Sequence, residues 1–253
     1  MTIVSLSLLF ACGANPTQSD QDLPQVEETD DDGTPRWSAA GEVSLTTRDG
    51  VTLAADWYPS ATEGQPVVVL LHMTPAGPWN RTDWPVEFIE TLNAHDWSVL
   101  AVDRRGAGES GGEGKDAYDG EAGRYDVEAC VKYAADEGAG AVGLIGASNG
   151  TTSMIDYAAW SGGEGLPEAV ALAYLSGGTY TENQTAMADV PQIPMFFGYP
   201  TSERSWPENQ KGLDPGSWQF HEYDGSAHGT KLFADGTTVA ADLDAFFASA
   251  WAK

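Results

Sequence analysis

Gly146-Ala147-Ser148-Asn149-Gly150 sets a serine between two glycines, in the pattern G-x-S-x-G. Five residues carry little weight alone, so the surroundings decide. Residues 142–145 read as a strand and 151–159 as a helix, which places Ser148 on the strand–turn–helix of a nucleophile elbow. Glycines suit the flanks because the turn is strained and side chains there would collide with neighbouring elements. A serine hydroxyl is a poor nucleophile until a base takes its proton. Of the four histidines, His72 ends a strand and belongs to a different loop, His95 falls at the exposed end of a helix, and His221 lies mid-strand. His228 lies in Tyr223-Asp224-Gly225-Ser226-Ala227-His228-Gly229, a glycine-rich loop directly after the last strand. Elbow and loop both reach the C-terminal edge of the sheet, where open α/β folds build their sites. Ser148 is therefore expected as nucleophile and His228 as general base.

The elements that must position them can be read from periodicity. Residues 42–47 and 51–58 alternate around Asp49-Gly50, a hairpin signal. The apolar runs at 67–72 and 98–103 mark strands buried on both faces. Further strands are expected at 142–147, 169–175, 194–198 and 218–223, and helices near 84–94, 125–136, 151–159 and 239–252. Strands alternating with helices imply a mostly parallel central sheet with helices on both faces and an antiparallel hairpin at its N-terminal edge.

Four segments together, residues 67–73, 99–110, 142–150 and 223–232, resemble the α/β-hydrolase superfamily, in its lidless esterase or dienelactone-hydrolase-like branch. V-L-A-V-D-R-R-G-A-G-E-S matches that family's strand ending in Asp103, followed by R-G-x-G-x-S as far as Ser110. L-L-H-M, with Arg81 and Trp84 downstream, resembles its oxyanion loop and the helix after it. Dienelactone hydrolases proper carry cysteine at the elbow, where this chain has Ser148, so that activity is not implied. The resemblance implies an α/β-hydrolase fold and an oxyanion hole made by the backbone N–H groups of Met73 and Asn149. It also implies the order Ser…acid…His along the chain. Where the family commonly has an aspartate, Pro194-Met195-Phe196-Phe197-Gly198-Tyr199-Pro200-Thr201-Ser202-Glu203 offers only Glu203 at the strand's end. Glu203 is the expected acid, with Asp189 and Asp214 as rivals. Little room remains between 176 and 193 for a lid, although 179–190 allows one short helix over the site. Trp79, Trp84, Tyr180, Tyr199 and Trp206 are candidates to line a substrate pocket or to pack.

Composition narrows the partners. Twelve Lys and Arg stand against 38 Asp and Glu, a formal charge of −26. That excess lacks the basic stripe that nucleic acid requires and disfavours polybasic attraction to anionic lipid. The two cysteines, Cys12 and Cys130, do not suggest a disulfide framework, and Cys130 reads as a small core residue. No zinc-like spacing of Cys and His occurs, and no cofactor or obligate protein partner is expected.

Residues 1–12 are apolar up to Ala11 and too short to span a bilayer. They resemble a bacterial lipoprotein signal in which Leu9-Phe10-Ala11-Cys12 is the lipobox and Cys12 the lipidated residue. No Lys or Arg precedes the run, and Phe10 stands where smaller residues are usual. Residues 13–36, rich in acidic and small polar groups, are expected to form a disordered tether ahead of a catalytic domain at 37–253. This reading puts the protein in the bacterial cell envelope, held to a membrane by lipid, with a secreted soluble protein as the alternative. The expected activity is hydrolysis of a small neutral ester through an acyl-enzyme. Other readings are a peptidase or other chemistry on the same scaffold, or a catalytically inactive binding lipoprotein.

Overall fold

Five consecutive strands in the sheet's interior have no exposed residue: β3 (Val67–Leu71), β4 (Ser98–Val102), β5 (Val142–Ala147), β6 (Ala171–Leu175) and β7 (Met195–Pro200). Their side chains alternate between two apolar layers. In β3, Val67, Val69 and Leu71 join one cluster with Cys130 and Val131 of α2 (Ala122–Asp136) and Met154 and Ile155 of α3 (Gly150–Glu164). Val68 and Leu70 join the other, with Phe88 and Leu92 of α1 (Val86–Ala94) and Leu243, Phe246 and Phe247 of α5 (Val239–Trp251). Burial on both faces explains why these strands read as continuous apolar runs. The computed structural model describes residues 41–117, 121–178, 187–234 and 236–252.

The sheet has eight strands in the order β1-β2-β4-β3-β5-β6-β7-β8, with β1 (Gly41–Thr46), β2 (Thr52–Tyr58) and β8 (Trp218–Tyr223) completing it. β1, β2 and β4 pair antiparallel and every other neighbour pairs parallel. The first hairpin turns at Gly50, whose φ of 84° lies in the left-handed region that glycine enters without penalty. The chain passes from β3 to β4 on one side and then to β5 on the other. The carboxyl ends of β3 and β5 therefore flank the topological switch point, where a crevice opens.

Several boundaries differ from the periodicity. Helix α1 begins at Val86, because Trp84 precedes Pro85 and is extended at φ −80°, ψ 130°, as a residue before proline prefers. Helix α3 runs on to Glu164 and stops at Gly165, a left-handed cap at φ 67°. Strand β7 continues to Pro200, which pairs with Tyr223 as the strand's last residue, a position where a missing N–H is tolerated. Helix α4 (Ser205–Gln210) was not expected from the sequence; its Pro207 sits in the first turn, where proline fits. Of the short helix expected over 179–190, residues 179–186, including Tyr180, lie outside the described residues. Residues 187–189 form a single 3-10 turn. Cys12 and residues 1–40 also lie outside them.

Candidate active site

Ser148 follows directly on the last residue of β5 at φ 49°, left-handed backbone that costs a non-glycine residue about 1 kcal/mol or more. Its N–H donates to Leu175 O at 2.8 Å, and its carbonyl accepts from Thr151 N at 3.0 Å and Thr151 Oγ1 at 2.6 Å. The flanking glycines are required by backbone proximity. A Cβ on Gly146 would lie 2.8 Å from Gly150 C, and one on Gly150 would lie 2.4 Å from Leu71 O. The elbow is thus wedged against the end of β3.

His228 comes to Ser148 from 80 residues away, with Nε2 2.7 Å from Ser148 Oγ. Its Nδ1 lies 2.7 Å from Glu203 Oε1, and a carboxylate there requires Nδ1 to carry the proton, leaving Nε2 to accept from the hydroxyl. Glu203 ends a 3-10 turn, Thr201–Glu203, that follows β7 directly. Ser202 N–H donates to Gly225 O at 3.2 Å and Thr201 Oγ1 to Tyr223 O at 3.2 Å, tying this turn to the histidine loop. The two rival acids emerge at the opposite edge of the sheet, because each precedes its strand. Asp189 is exposed ahead of β7, and Asp214 caps the entry to β8 by accepting from Gly216, Ser217 and Trp218 N–H. The longer glutamate reaches His228 because β7 carries the chain two residues past Gly198 before the turn.

One positioning group had no sequence signal. Ser176, fully buried just after β6, takes φ 53°, donates its N–H to Gly198 O at 2.8 Å, and accepts from Gly229 N–H at 2.9 Å through Oγ. It fixes the residue after His228. Gly229 in turn passes so close to the neighbouring loop that a Cβ there would lie 2.4 Å from Met73 Sδ.

Met73 and Asn149 lie on the ends of adjacent strands: Leu71 pairs with Gly146, so the two chains leave the sheet side by side around Ser148. Both are buried, at 2% and 5% exposure. Beside Met73, His72 donates from Nδ1 to Met73 O at 2.9 Å and accepts from Arg104 N–H through Nε2 at 2.9 Å. Burial, and then the nearby Arg104 charge, push the His72 pKa down to about 3, so the ring is neutral and structural.

Within the stretch from Asp103 to Ser110, Asp103, Gly108 and Glu109 serve architecture. Asp103 accepts from Arg81 N–H at 2.7 Å, from the Arg81 guanidinium and from Glu109 N–H at 2.9 Å. Gly108 is needed because its Cβ would fall 2.0 Å from Asp103 Oδ2. Of the candidate pocket aromatics, Trp84 and Tyr199 are core residues, at 2% and 3% exposure. Trp206 packs on Tyr174 and Phe197, and Trp79 lies beneath the Lys231 ammonium, 4.9 Å from the ring centroid. Both are only partly buried. Among the described residues no His, Cys, Asp and Glu cluster could hold a metal.

No protein-family model and no curated protein matches the sequence. Solved structures do. The chain is similar to the Pyrococcus furiosus esterase Pf2001 at a TM-score of 0.63 and 19% identity, covering 83% of this chain and 91% of that one. It is similar to the alpha/beta hydrolase GrgF from a Penicillium species at 0.64 and 14%, covering 85% and 100%. It is also similar to the esterase RhEst1 from a Rhodococcus species at 0.60 and 15%, covering 82% and 98%. At such identities the likeness shows the fold, and the chain has the α/β-hydrolase fold.

Proposed function

We propose that this chain, built on the α/β-hydrolase fold, is a serine hydrolase of small neutral esters. The observation that carries the reading is the chain of two 2.7 Å hydrogen bonds from Ser148 through His228 to Glu203, starting at a serine held in left-handed backbone. Ser148 Oγ attacks the ester carbonyl while His228 Nε2 takes its proton, and the imidazolium formed is held by the Glu203 carboxylate at Nδ1. The developing alkoxide faces the N–H groups of Met73 and Asn149, donors that need no reorganisation as charge appears. His228 then returns the proton to the leaving alcohol, and water repeats the sequence on the acyl-enzyme. Esters are favoured because two of the similar structures are esterases. Neutral ones are favoured because a formal charge of −26 repels anions from any mouth on this surface. The sequence supports a location at the bacterial envelope through lipid on Cys12.

A fluorophosphonate probe, which phosphonylates an activated serine, tests the reading. Wild type should be labelled and should hydrolyse p-nitrophenyl esters. Ser148→Ala should fold, escape labelling and lose roughly 10⁴-fold or more in rate. Esterase activity retained by a folded Ser148→Ala protein would overturn the assignment.

A further inference from the structure

Arg104 and Arg105 are neighbours in sequence, both side chains are at most 2% exposed, and the fold treats them oppositely. Arg105 is neutralised: it donates to Asp126 at 2.8 Å and, through both terminal nitrogens, to Asp49 at 2.7 and 3.0 Å. Among the described residues, Arg104 donates to neutral acceptors only. Nη1 donates to His72 O at 3.3 Å and Met73 O at 3.1 Å, while Nη2 donates to Ala117 O at 3.3 Å, Asn149 Oδ1 at 3.0 Å and Ser153 Oγ at 2.7 Å. Asp126, whose charge it feels, is bonded to Arg105 instead. A buried guanidinium without a carboxylate is expensive, so a fold that needed only a cross-link here is better served by a neutral side chain. Burial lowers the Arg104 pKa to about 10, which leaves it charged at neutral pH.

Three of its five acceptors lie on the two segments beside Ser148: the carbonyls of His72 and Met73 and the side chain of Asn149. His72 C=O and Met73 N–H share one peptide group and point in opposite directions, so a cation on that carbonyl sits behind the N–H and polarises it. On the other side, Arg104 holds the Asn149 side chain, while the Ser148 carbonyl, in the same peptide as the Asn149 N–H, is engaged by Thr151. We propose that Arg104 is a positioning residue for the oxyanion hole, clamping Met73 and Asn149 at a fixed separation and placing a buried positive charge behind the donors. The role rests on the serine-hydrolase reading and adds to it a residue that touches neither substrate nor nucleophile. Charge and clamp act on the tetrahedral species, in which the carbonyl oxygen is anionic, and little on the bound ester.

Arg104→Lys and Arg104→Met, measured beside wild type with p-nitrophenyl butyrate and with an aryl boronate that forms a tetrahedral adduct on serine, provide the test. With the fold verified by circular dichroism, kcat should fall about tenfold in Arg104→Lys and roughly 10²-fold in Arg104→Met. KM should stay within about threefold, and boronate affinity should fall in step with kcat. A folded Arg104→Met with wild-type kcat, or a loss confined to KM, overturns the proposal. Should both variants fail to fold, Asn149→Ala removes the acceptor from the other side. Its kcat should drop about tenfold at constant KM, and an unchanged kcat overturns the clamp. Wild type inert to both ester and fluorophosphonate overturns the serine-hydrolase reading and Arg104's role with it. Active wild type beside an unimpaired Arg104→Met overturns only the latter.

Discussion

Exchanging the Glu203 carboxylate for an amide keeps its volume while removing its charge. It also lets the amide N–H₂ turn toward His228 Nδ1, which favours the tautomer that cannot accept from Ser148. Glu203→Gln should therefore lower kcat by roughly 10³–10⁴-fold with the protein folded. Asp189→Asn and Asp214→Asn should stay near wild type in kcat, Asp214→Asn losing only stability through its three N–H acceptances. Steady-state kinetics on the three variants, read beside thermal melting, checks the assignment; a crippled Asp189→Asn or Asp214→Asn with a healthy Glu203→Gln would reverse it. His72 gives a second, independent expectation. An unfolded histidine takes a proton near pH 6.5, whereas His72 in the fold does so only near 3, so the unfolded chain binds more protons between these values. Stability should decline as pH falls below about 6.5. Urea midpoints measured from pH 7 to 4 should show a smaller decline in His72→Asn.

At the scale of elements, a close junction beside the site lies between the start of α3 and the end of β3. Gly150→Ala places a methyl 2.4 Å from Leu71 O and 2.7 Å from His72 O, backbone atoms that cannot swing aside. Helix and strand must part, at a cost of about 1–3 kcal/mol or more, and the parting moves Met73 away from Ser148. Lower melting temperature together with lower kcat is the expected pair; an unperturbed kcat would show that the loop is not held by this contact. The first hairpin is tied to α2 by Arg105, whose hydrogen bonds hold the Asp49 carboxyl at about pH 2 against an ordinary 3.8. A depressed carboxylate contributes stability above its unfolded value and loses it as pH falls through the folded one. Asp49→Asn should be less stable than wild type at pH 7, and urea midpoints should converge as pH falls from about 4 toward 2.

For the molecule as a whole, the largest expectation concerns its location. Lipid on Cys12, followed by an acidic tether, would leave a strongly anionic catalytic domain repelled by lipid headgroups yet unable to diffuse away. In a bacterial host, wild type should sediment with membranes and incorporate labelled palmitate, while Cys12→Ser should do neither. Palmitate incorporation that persists in Cys12→Ser would remove the anchor from that residue.

Local patterns in the chain determined much of this protein. Apolar runs marked the buried strands, and glycines marked the elbow. The order of elements sent Ser148 and the loop of His228 to one edge, because parallel strands all end on the same side. Glu203 was legible as the expected acid, in preference to Asp189 and Asp214, being the carboxylate that follows β7. That choice came from strand direction, which puts residues before a strand and residues after it on opposite edges. The roles of Ser176 and Arg104 were decided only by tertiary structure. A serine after a strand looks like any turn residue, and two adjacent arginines in one motif look alike. Their partners, Gly229, Met73 and Asn149, stand 53, 31 and 45 residues away, and only the sheet order brings them within bonding distance. Local periodicity reflects which face is buried; it holds no information on which distant carbonyl a buried guanidinium will find.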